Sequence, residues 1–151
     1  MTEPSQRITV PEAREILERD PQAIYLDVRT EEEFADGHPA RALNIPVGTA
    51  NPATRMLEPN PDFTRVAAAV LPRDTPILVG CRTAPRAEMA AQLLAAEGFA
   101  DVRVVFGGYA GMMGPAGNRM AIGWSQTDYP LTRDPAPGEG YEDLKKKAGV
   151  A

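Results

Sequence analysis

The sequence predicts an α/β fold with a mainly parallel, five-stranded sheet, and two observations support this prediction. Five short apolar runs alternate with segments whose apolar residues recur at helical spacing, which is typical of repeated βαβ units. Two of these runs are apolar almost throughout, as expected for central strands that are covered on both faces. The predicted strands are residues 8–10, 23–28, 43–45, 76–80 and 102–106.

Capping and stop signals predict the helices between and after these strands. Thr30 and Glu33 fit a capping box at the start of a short acidic helix, which Gly37 ends. Gly98 occupies the stop position of the strongest helical pattern. The predicted helices cover residues 11–19, 31–36, 63–71, 87–97 and 141–148, with a further short helix after Gly107-Gly108, whereas residues 47–61 and 114–140 are predicted to be irregular apart from residues 122–124.

Composition limits the kind of protein and its partners. A chain of 151 residues suits one domain and is long enough to bury a substantial core. The net charge of −5 argues against a nucleic-acid binder, and no stretch approaches the roughly 20 apolar residues that a membrane helix needs. The first ten residues lack the apolar region of a signal peptide, so we expect a cytoplasmic protein.

The counts of cysteine and histidine restrict the chemistry further. The chain has one cysteine, Cys81, and one histidine, His38. An internal disulfide and a multi-thiolate metal site are therefore ruled out, and a cysteine–histidine dyad has only this pair to draw on. Any catalysis must use mainly one thiol, carboxylates, arginines and the backbone, and we expect neither a metal nor an organic cofactor.

The segment from Cys81 to Arg86 is the strongest candidate for a site. It lies between a predicted strand and the start of a helix, where backbone N–H groups converge and the helix dipole favours an anion. Arg82 and Arg86 add two positive charges, so we expect a lowered pKa for the thiol and a bound anion. The alternative is that Cys81 is a small buried core residue without reactivity.

Four short motifs follow one another along the chain. They are Asp27-Val28-Arg29 with Glu33-Phe34 and Gly37-His38, then Ala42-Leu43-Asn44-Ile45-Pro46, then Cys81-Arg82 with Arg86 four residues further on, and then Gly107-Gly108; Gly123-Trp124 and Tyr129-Pro130-Leu131 come after them. In this order and spacing they resemble the motifs of the single-domain rhodanese-like sulfurtransferases, over about residues 7–132.

The resemblance implies a fold, an activity and a set of site residues. The fold would be a three-layer α/β/α sandwich, and the activity would be that of a thiosulfate sulfurtransferase, which passes sulfur from thiosulfate or a similar donor to a thiol or cyanide, or to a protein acceptor. No cofactor is implied. By this resemblance Cys81 is catalytic and carries a persulfide, Arg82, Thr83, Ala84 and Arg86 bind the substrate, and Asp27, Arg29 and His38 support the site.

The same resemblance divides the chain. Residues 7–132 would form the rhodanese-like domain, residues 1–6 a flexible N-terminus, and residues 133–151 a C-terminal extension with a short helix. Within the domain, we expect Trp124 and the three methionines near it to fill the core rather than to line the mouth of the pocket. These methionines are Met112, Met113 and Met120.

The loop also departs from the family pattern. Ala84 replaces a common glycine, Pro85 lacks a backbone N–H, and Ala87 replaces a common hydroxyl residue, so we expect a modest catalyst. Two other functions stay open. One is a phosphatase or arsenate reductase of the related fold, although its loop usually has one residue more. The other is a sulfur-carrier or binding module without catalytic activity.

Overall fold

Eleven strands and five helices make up residues 6–150, which are the residues that the computed structural model describes. Most of the strands are short, and five of them form the central sheet. In chain order the elements are β1 (Gln6–Thr9), α1 (Val10–Arg19), β2 (Ile24–Asp27), α2 (Glu31–Asp36), β3 (His38–Pro39), β4 (Leu43–Asn44), β5 (Gly48–Ala50), β6 (Leu57–Pro59), α3 (Phe63–Val70), β7 (Ile77–Gly80), α4 (Pro85–Ala96), β8 (Val102–Phe106), β9 (Met112–Met113), β10 (Arg119–Ala121), β11 (Leu131–Thr132) and α5 (Tyr141–Ala148), with a 3₁₀ turn at Trp124–Gln126 before β11.

The central sheet has the strand order β1-β8-β7-β2-β4, and each of its strand pairs is parallel. This confirms the predicted α/β fold with a five-stranded parallel sheet. The register places Asp27, at the end of β2, opposite Gly80 on one side and Asn44 on the other. The carboxyl ends of three neighbouring strands therefore meet at one edge, which is where open α/β sheets bind their ligands.

Two apolar clusters cover the two faces of this sheet. Successive side chains of a strand point to opposite faces, so Leu26 and Tyr25 belong to different clusters. Leu26 packs with residues of α3, α4 and α5, whereas Tyr25 packs with α1 and with Trp124. The rings of Tyr25 and Trp124 meet edge to face, 5.4 Å apart. The three-layer arrangement and the core position of Trp124 agree with the sequence predictions.

The first helix begins one residue before its predicted start. Thr9 accepts a hydrogen bond from the Glu12 N–H, and the Glu12 carboxylate accepts one from the Thr9 N–H, which is a complete capping box. The predicted strand at residues 8–10 was wrong at its end, because this cap already places Val10 in α1. The second capping box, at Thr30 and Glu33, is confirmed.

Two antiparallel hairpins form where the sequence predicted an irregular loop and a short helix. Residues 47–61, predicted to be a loop, contain the antiparallel pair β5–β6. The short helix predicted after Gly107-Gly108 was wrong, because both glycines have positive φ (104° and 53°) and form a turn that leads into the β9–β10 pair. The expectation that the methionines there fill the core was wrong too, since Met113 and Met120 are 64% and 55% exposed.

The two ends of the chain were predicted to be a flexible N-terminus and a C-terminal helix. Residues 1–5, most of the predicted flexible N-terminus, lie outside the described residues, and β1 begins at Gln6. The predicted terminal helix is confirmed as α5, with acidic residues in its first turn and three lysines in its last. No helix within residues 6–150 has the length and apolarity of a membrane span.

Gly80 should be required for the packing of the sheet against Tyr25. A Cβ at residue 80 would overlap the buried Tyr25 hydroxyl and ring, so Gly80→Ala should lower the free energy of unfolding by about 1–3 kcal/mol in urea denaturation. Gly114→Ala is the matched control, because the side chains that a Cβ there would meet, those of Asn118 and Met120, are exposed. Equal losses in the two variants would contradict this account of Gly80.

Candidate active site

Cys81 follows β7 directly and lies before the first turn of α4, with only 2% of its surface exposed. Backbone N–H groups of Ala87, Thr83 and Arg86 lie near its sulfur and act to lower the pKa of the thiol. Burial raises the pKa of the Cys81 thiol, and it outweighs the lowering by these N–H groups and by the Arg86 charge. The expected lowering of this pKa was therefore wrong, because the sequence showed the donors and the charges but not the depth of burial.

The shape of this loop is set by a turn on the neighbouring strand connection, which we call the clamp turn (residues 107–110). Gly108 has φ 53°, and a Cβ there would overlap the Cys81 carbonyl. The clamp turn supplies donors to the loop carbonyls, which leaves the loop N–H groups available for other partners. Its N–H groups donate as follows: Tyr109 to the Cys81 carbonyl (2.9 Å), Ala110 to that of Arg82 (2.9 Å) and Gly107 to that of Thr83 (3.1 Å).

The two unusual loop residues fit the local backbone. Ala84 has φ −154°, which is open to any residue, so no glycine is required there. Pro85 occupies the first turn of α4, where proline is favoured because a backbone N–H has no partner within the helix. The N–H groups that act on the sulfur are those of residues 83, 86 and 87. The expected effect of Pro85 on catalysis stays a prediction.

The two loop arginines differ in what their guanidinium groups contact. Arg86 makes two hydrogen bonds to the Glu33 carboxylate, at 2.7 and 3.1 Å. The N–H edge of its guanidinium that could bind an oxyanion is therefore already occupied by an anion of the protein. Partial burial alone would raise the pKa of Glu33, but the bonds from Arg86 and Thr30 lower it to about 2. Arg82 is exposed and makes no ion pair within residues 6–150. The sequence did not reveal this partnership, since Glu33 was identified there only as part of a capping box and a motif.

A buried ion pair supports the edge of the sheet behind the loop. Arg29 contacts both carboxylate oxygens of Asp27, the closest at 2.7 Å, and donates to the Gly37 carbonyl at 2.6 Å. Its guanidinium also lies over the Tyr109 ring, 4.4 Å from the centroid. The Asn44 side chain donates to the carbonyls of residues 27 and 29. The pair therefore joins β2, the end of α2 and the clamp turn.

His38 is fully buried and is not placed to act on Cys81. Its ring stacks on Phe34 at 3.6 Å, and its Nδ1–H donates to the Phe34 carbonyl at 2.7 Å. Its Nε2 has no hydrogen-bond partner in the described structure, and the Glu139 carboxylate is 3.9 Å away. No hydrogen bond links His38 to Cys81 among the described residues. This placement fits packing around β3 and β11 better than proton transfer at the thiol.

A cleft of about 390 Å³ lies between α2 and α5, but Cys81 does not line it. Its walls include Phe34, Asn44 and Tyr141. Among residues 6–150, no group of three His, Cys, Asp or Glu side chains is arranged to hold a metal ion. The chemistry that the described residues support is therefore that of a buried sulfur facing backbone donors.

The pair of Glu33 and Arg86 should make stability depend on pH. The pKa of Glu33 in the folded protein, about 2, lies below its ordinary value, so the stabilisation is complete above that ordinary value and disappears as the pH falls toward 2. Glu33→Gln should cost about 1 kcal/mol at pH 7 and progressively less below pH about 4. Glu32→Gln, in the same helix turn but exposed, is the control for urea unfolding at each pH. A deficit that does not change with pH would contradict this role.

The reactivity of Cys81 should reflect its burial. Because burial raises the pKa of this thiol, the rate of alkylation by iodoacetamide should rise with pH and show an inflection above the ordinary cysteine value of about 8.5. The same chain unfolded in urea provides the control, since its thiol is exposed. An inflection in the folded protein below that of the unfolded chain would show that the N–H groups and Arg86 prevail over burial.

Comparisons with known proteins identify the family. Residues 9–114 match the sequence model of the Rhodanese-like domain. Thiosulfate sulfurtransferase 18 of Arabidopsis thaliana is 38% identical over 104 residues, which are 68% of this chain and 74% of that protein. Thiosulfate sulfurtransferase 16, chloroplastic, of the same plant is 37% identical over 86 residues, 57% of this chain and 70% of that protein.

A solved structure supports the same conclusion. The crystal structure of Rv0390 from M. tuberculosis superposes with a TM-score of 0.70 at 25% identity and covers 87% of this chain and 100% of that one. The chain spans about half the length of other curated relatives, such as Senescence-associated protein DIN1 of Raphanus sativus, which is 32% identical over 71% of this chain and 51% of that protein. The clamped cysteine loop, the parallel sheet and these matches lead to one conclusion: the chain belongs to the rhodanese-like domain family.

Proposed function

We propose that this protein is a thiosulfate sulfurtransferase that carries the transferred sulfur as a persulfide on Cys81. The observation that supports it most is the sulfur of Cys81 at the start of α4, facing three backbone N–H groups. Such donors stabilise an anion without any reorganisation of the loop. The relatives named thiosulfate sulfurtransferase add support for this donor.

The first half of the reaction forms the persulfide. The Cys81 thiol loses its proton to solvent, and the resulting thiolate attacks the outer sulfur of thiosulfate. A new S–S bond forms on Cys81, the S–S bond of thiosulfate breaks, and sulfite leaves with the electron pair. The exposed guanidinium of Arg82 is available to attract the dianionic donor to the loop.

The second half returns Cys81 to its starting state. A thiolate or cyanide attacks the outer sulfur of the persulfide, the S–S bond to Cys81 breaks, and Cys81 leaves as a thiolate. The product is a persulfide of the acceptor, or thiocyanate when cyanide is the acceptor. In both halves the N–H groups of residues 83, 86 and 87 stabilise the negative charge on sulfur.

The two other functions differ in what the structure offers them. A phosphatase needs a free guanidinium to hold a tetrahedral oxyanion, but that of Arg86 is bound to Glu33. A sulfur-carrier module without catalytic activity is favoured by one observation, the nearly complete burial of Cys81. Such a module would accept sulfur from a protein partner and would react poorly with free thiosulfate.

Mass spectrometry after treatment with thiosulfate tests the proposal. The wild type should gain the mass of one sulfur atom and release one equivalent of sulfite, whereas Cys81→Ser should gain none. Cyanide should then remove the added sulfur and yield thiocyanate. A wild type that gains no sulfur from thiosulfate but gains it from a persulfidated protein would support the carrier function instead, and equal gains in wild type and Cys81→Ser would refute a role for Cys81.

Gly108→Ala should damage the loop specifically. The added Cβ would overlap the Cys81 carbonyl and lie 2.9 Å from the Arg82 backbone, so the loop must shift and its N–H groups lose their alignment. We expect kcat/KM for thiosulfate to fall about tenfold or more, since misplaced donors in an anion hole are costly. Gly117→Ala is the matched control, because Gly117 also has a positive φ (80°) but has no atom within 4 Å of the added Cβ. Similar losses in both variants would assign the effect to backbone strain alone.

A further inference from the structure

An exposed hairpin beside the cysteine loop has no role in the steps above. We call it the methionine hairpin (residues 111–122); it contains β9 and β10, which pair with each other in an antiparallel ladder with an irregularity next to Met120. Met113 and Met120 expose 64% and 55% of their surfaces. The flexible thioethers of methionine suit surfaces that adapt to a partner.

The base of the methionine hairpin is joined to the clamp turn. A Cβ on Gly107 would lie 3.1 Å from the Ala121 side chain, so the start of the clamp turn and the end of β10 are in close contact. Tyr109 and Ala110, in the same turn, hold the carbonyls of Cys81 and Arg82. A partner that covers the methionine hairpin is therefore held next to the clamp turn, which contacts the loop of Cys81.

The charge of this region is opposite to that of the whole chain. The chain has 21 acidic residues and a net charge of −5, yet residues 102–127 and residues 80–87 contain none. Arg119 in the methionine hairpin and Arg82 in the loop are exposed, and neither forms an ion pair in the structure from residue 6 to residue 150. The loop and the methionine hairpin, which the clamp turn joins, therefore carry exposed methionines and uncompensated positive charge.

We propose that the methionine hairpin is the docking surface for an acidic polypeptide whose thiol accepts the sulfur from Cys81. This inference rests on the proposed function and names its acceptor. Apolar side chains next to the acceptor cysteine pack on Met113 and Met120, and flanking carboxylates are attracted by Arg82 and Arg119. The acceptor thiolate attacks the outer sulfur of the persulfide, takes that sulfur, and leaves Cys81 as a thiolate.

Synthetic acceptors test the docking surface against a small acceptor. The probes are two acetylated heptapeptides with a central cysteine between two leucines, one with four flanking glutamates and one with four flanking lysines, and cyanide as the small acceptor. For the wild type loaded with thiosulfate, kcat/KM should be about tenfold higher for the acidic peptide than for the basic one, and this preference should shrink as salt is raised.

Substitutions then assign the preference to the hairpin. Met113→Ser combined with Met120→Ser should lower kcat/KM for the acidic peptide about fivefold, and Arg119→Glu should remove the preference for acidic flanks. Both variants should keep the wild-type rate with cyanide, which needs no docking surface. Met56→Ser is the matched control, because Met56 is 69% exposed but lies in the β5–β6 hairpin.

Three results would overturn the inference. It fails if the double methionine variant behaves like Met56→Ser, or if the two peptides are equally good acceptors. It also fails if sedimentation shows a wild-type dimer that the methionine substitutions dissociate, because a second copy would then cover the hairpin.

Binding is measured separately, by fluorescence anisotropy. The probe is a labelled acidic peptide with serine in place of cysteine, and the protein is the Cys81→Ser variant. If peptide binding depends on the hairpin but the wild type takes no sulfur from thiosulfate, the docking surface is supported and only the proposed function is refuted.

Discussion

The hydrogen bonds from the clamp turn to the cysteine loop are the contacts on which the candidate site depends. The four-residue connection between β7 and α4 has no regular hydrogen-bond ladder of its own, so its peptide groups need partners elsewhere. The N–H groups of residues 107, 109 and 110 satisfy the carbonyls of residues 81–83, which leaves the loop N–H groups available to face the sulfur. This arrangement depends on glycine at position 108, because a Cβ there would overlap the Cys81 carbonyl.

The electrostatics of the site are balanced rather than uniformly favourable to a thiolate. Burial of Cys81 disfavours charge, and the N–H groups with Arg86 favour it, with burial prevailing in the resting protein. The guanidinium of Arg86 is hydrogen-bonded to Glu33, so its positive charge acts on Cys81 through electrostatic attraction rather than through a hydrogen bond. Arg29 has a comparable supporting position, since it joins Asp27, the end of α2 and the ring of Tyr109 in the clamp turn.

Local patterns predicted the frame of the protein, and tertiary contacts account for what they missed. The strand at Val102–Phe106, the helix at Tyr141–Ala148 and the Thr30–Glu33 capping box follow from neighbouring residues, and the structure confirms them. The bond between Glu33 and Arg86 joins residues 53 positions apart, and no local signal marks it. The sign of the Cys81 pKa shift was missed for a similar reason, because burial depends on how α3, α4 and the sheet pack. The methionines near Trp124 were expected in the core, but Met113 and Met120 lie exposed in the β9–β10 hairpin.

The N–H groups near the Cys81 sulfur, which we call the cradle, belong to the backbone, and this affects how the loop can evolve. The donors are main-chain groups, so the side chains of Arg82 and Thr83 and the ring of Pro85 are not needed to form them. Substitutions at these three positions can alter charge and size at the loop surface while the cradle stays intact. In the proposed reaction, the loop backbone would stabilise the sulfur and the loop side chains would select the donor, so new specificities could evolve while the backbone arrangement is kept.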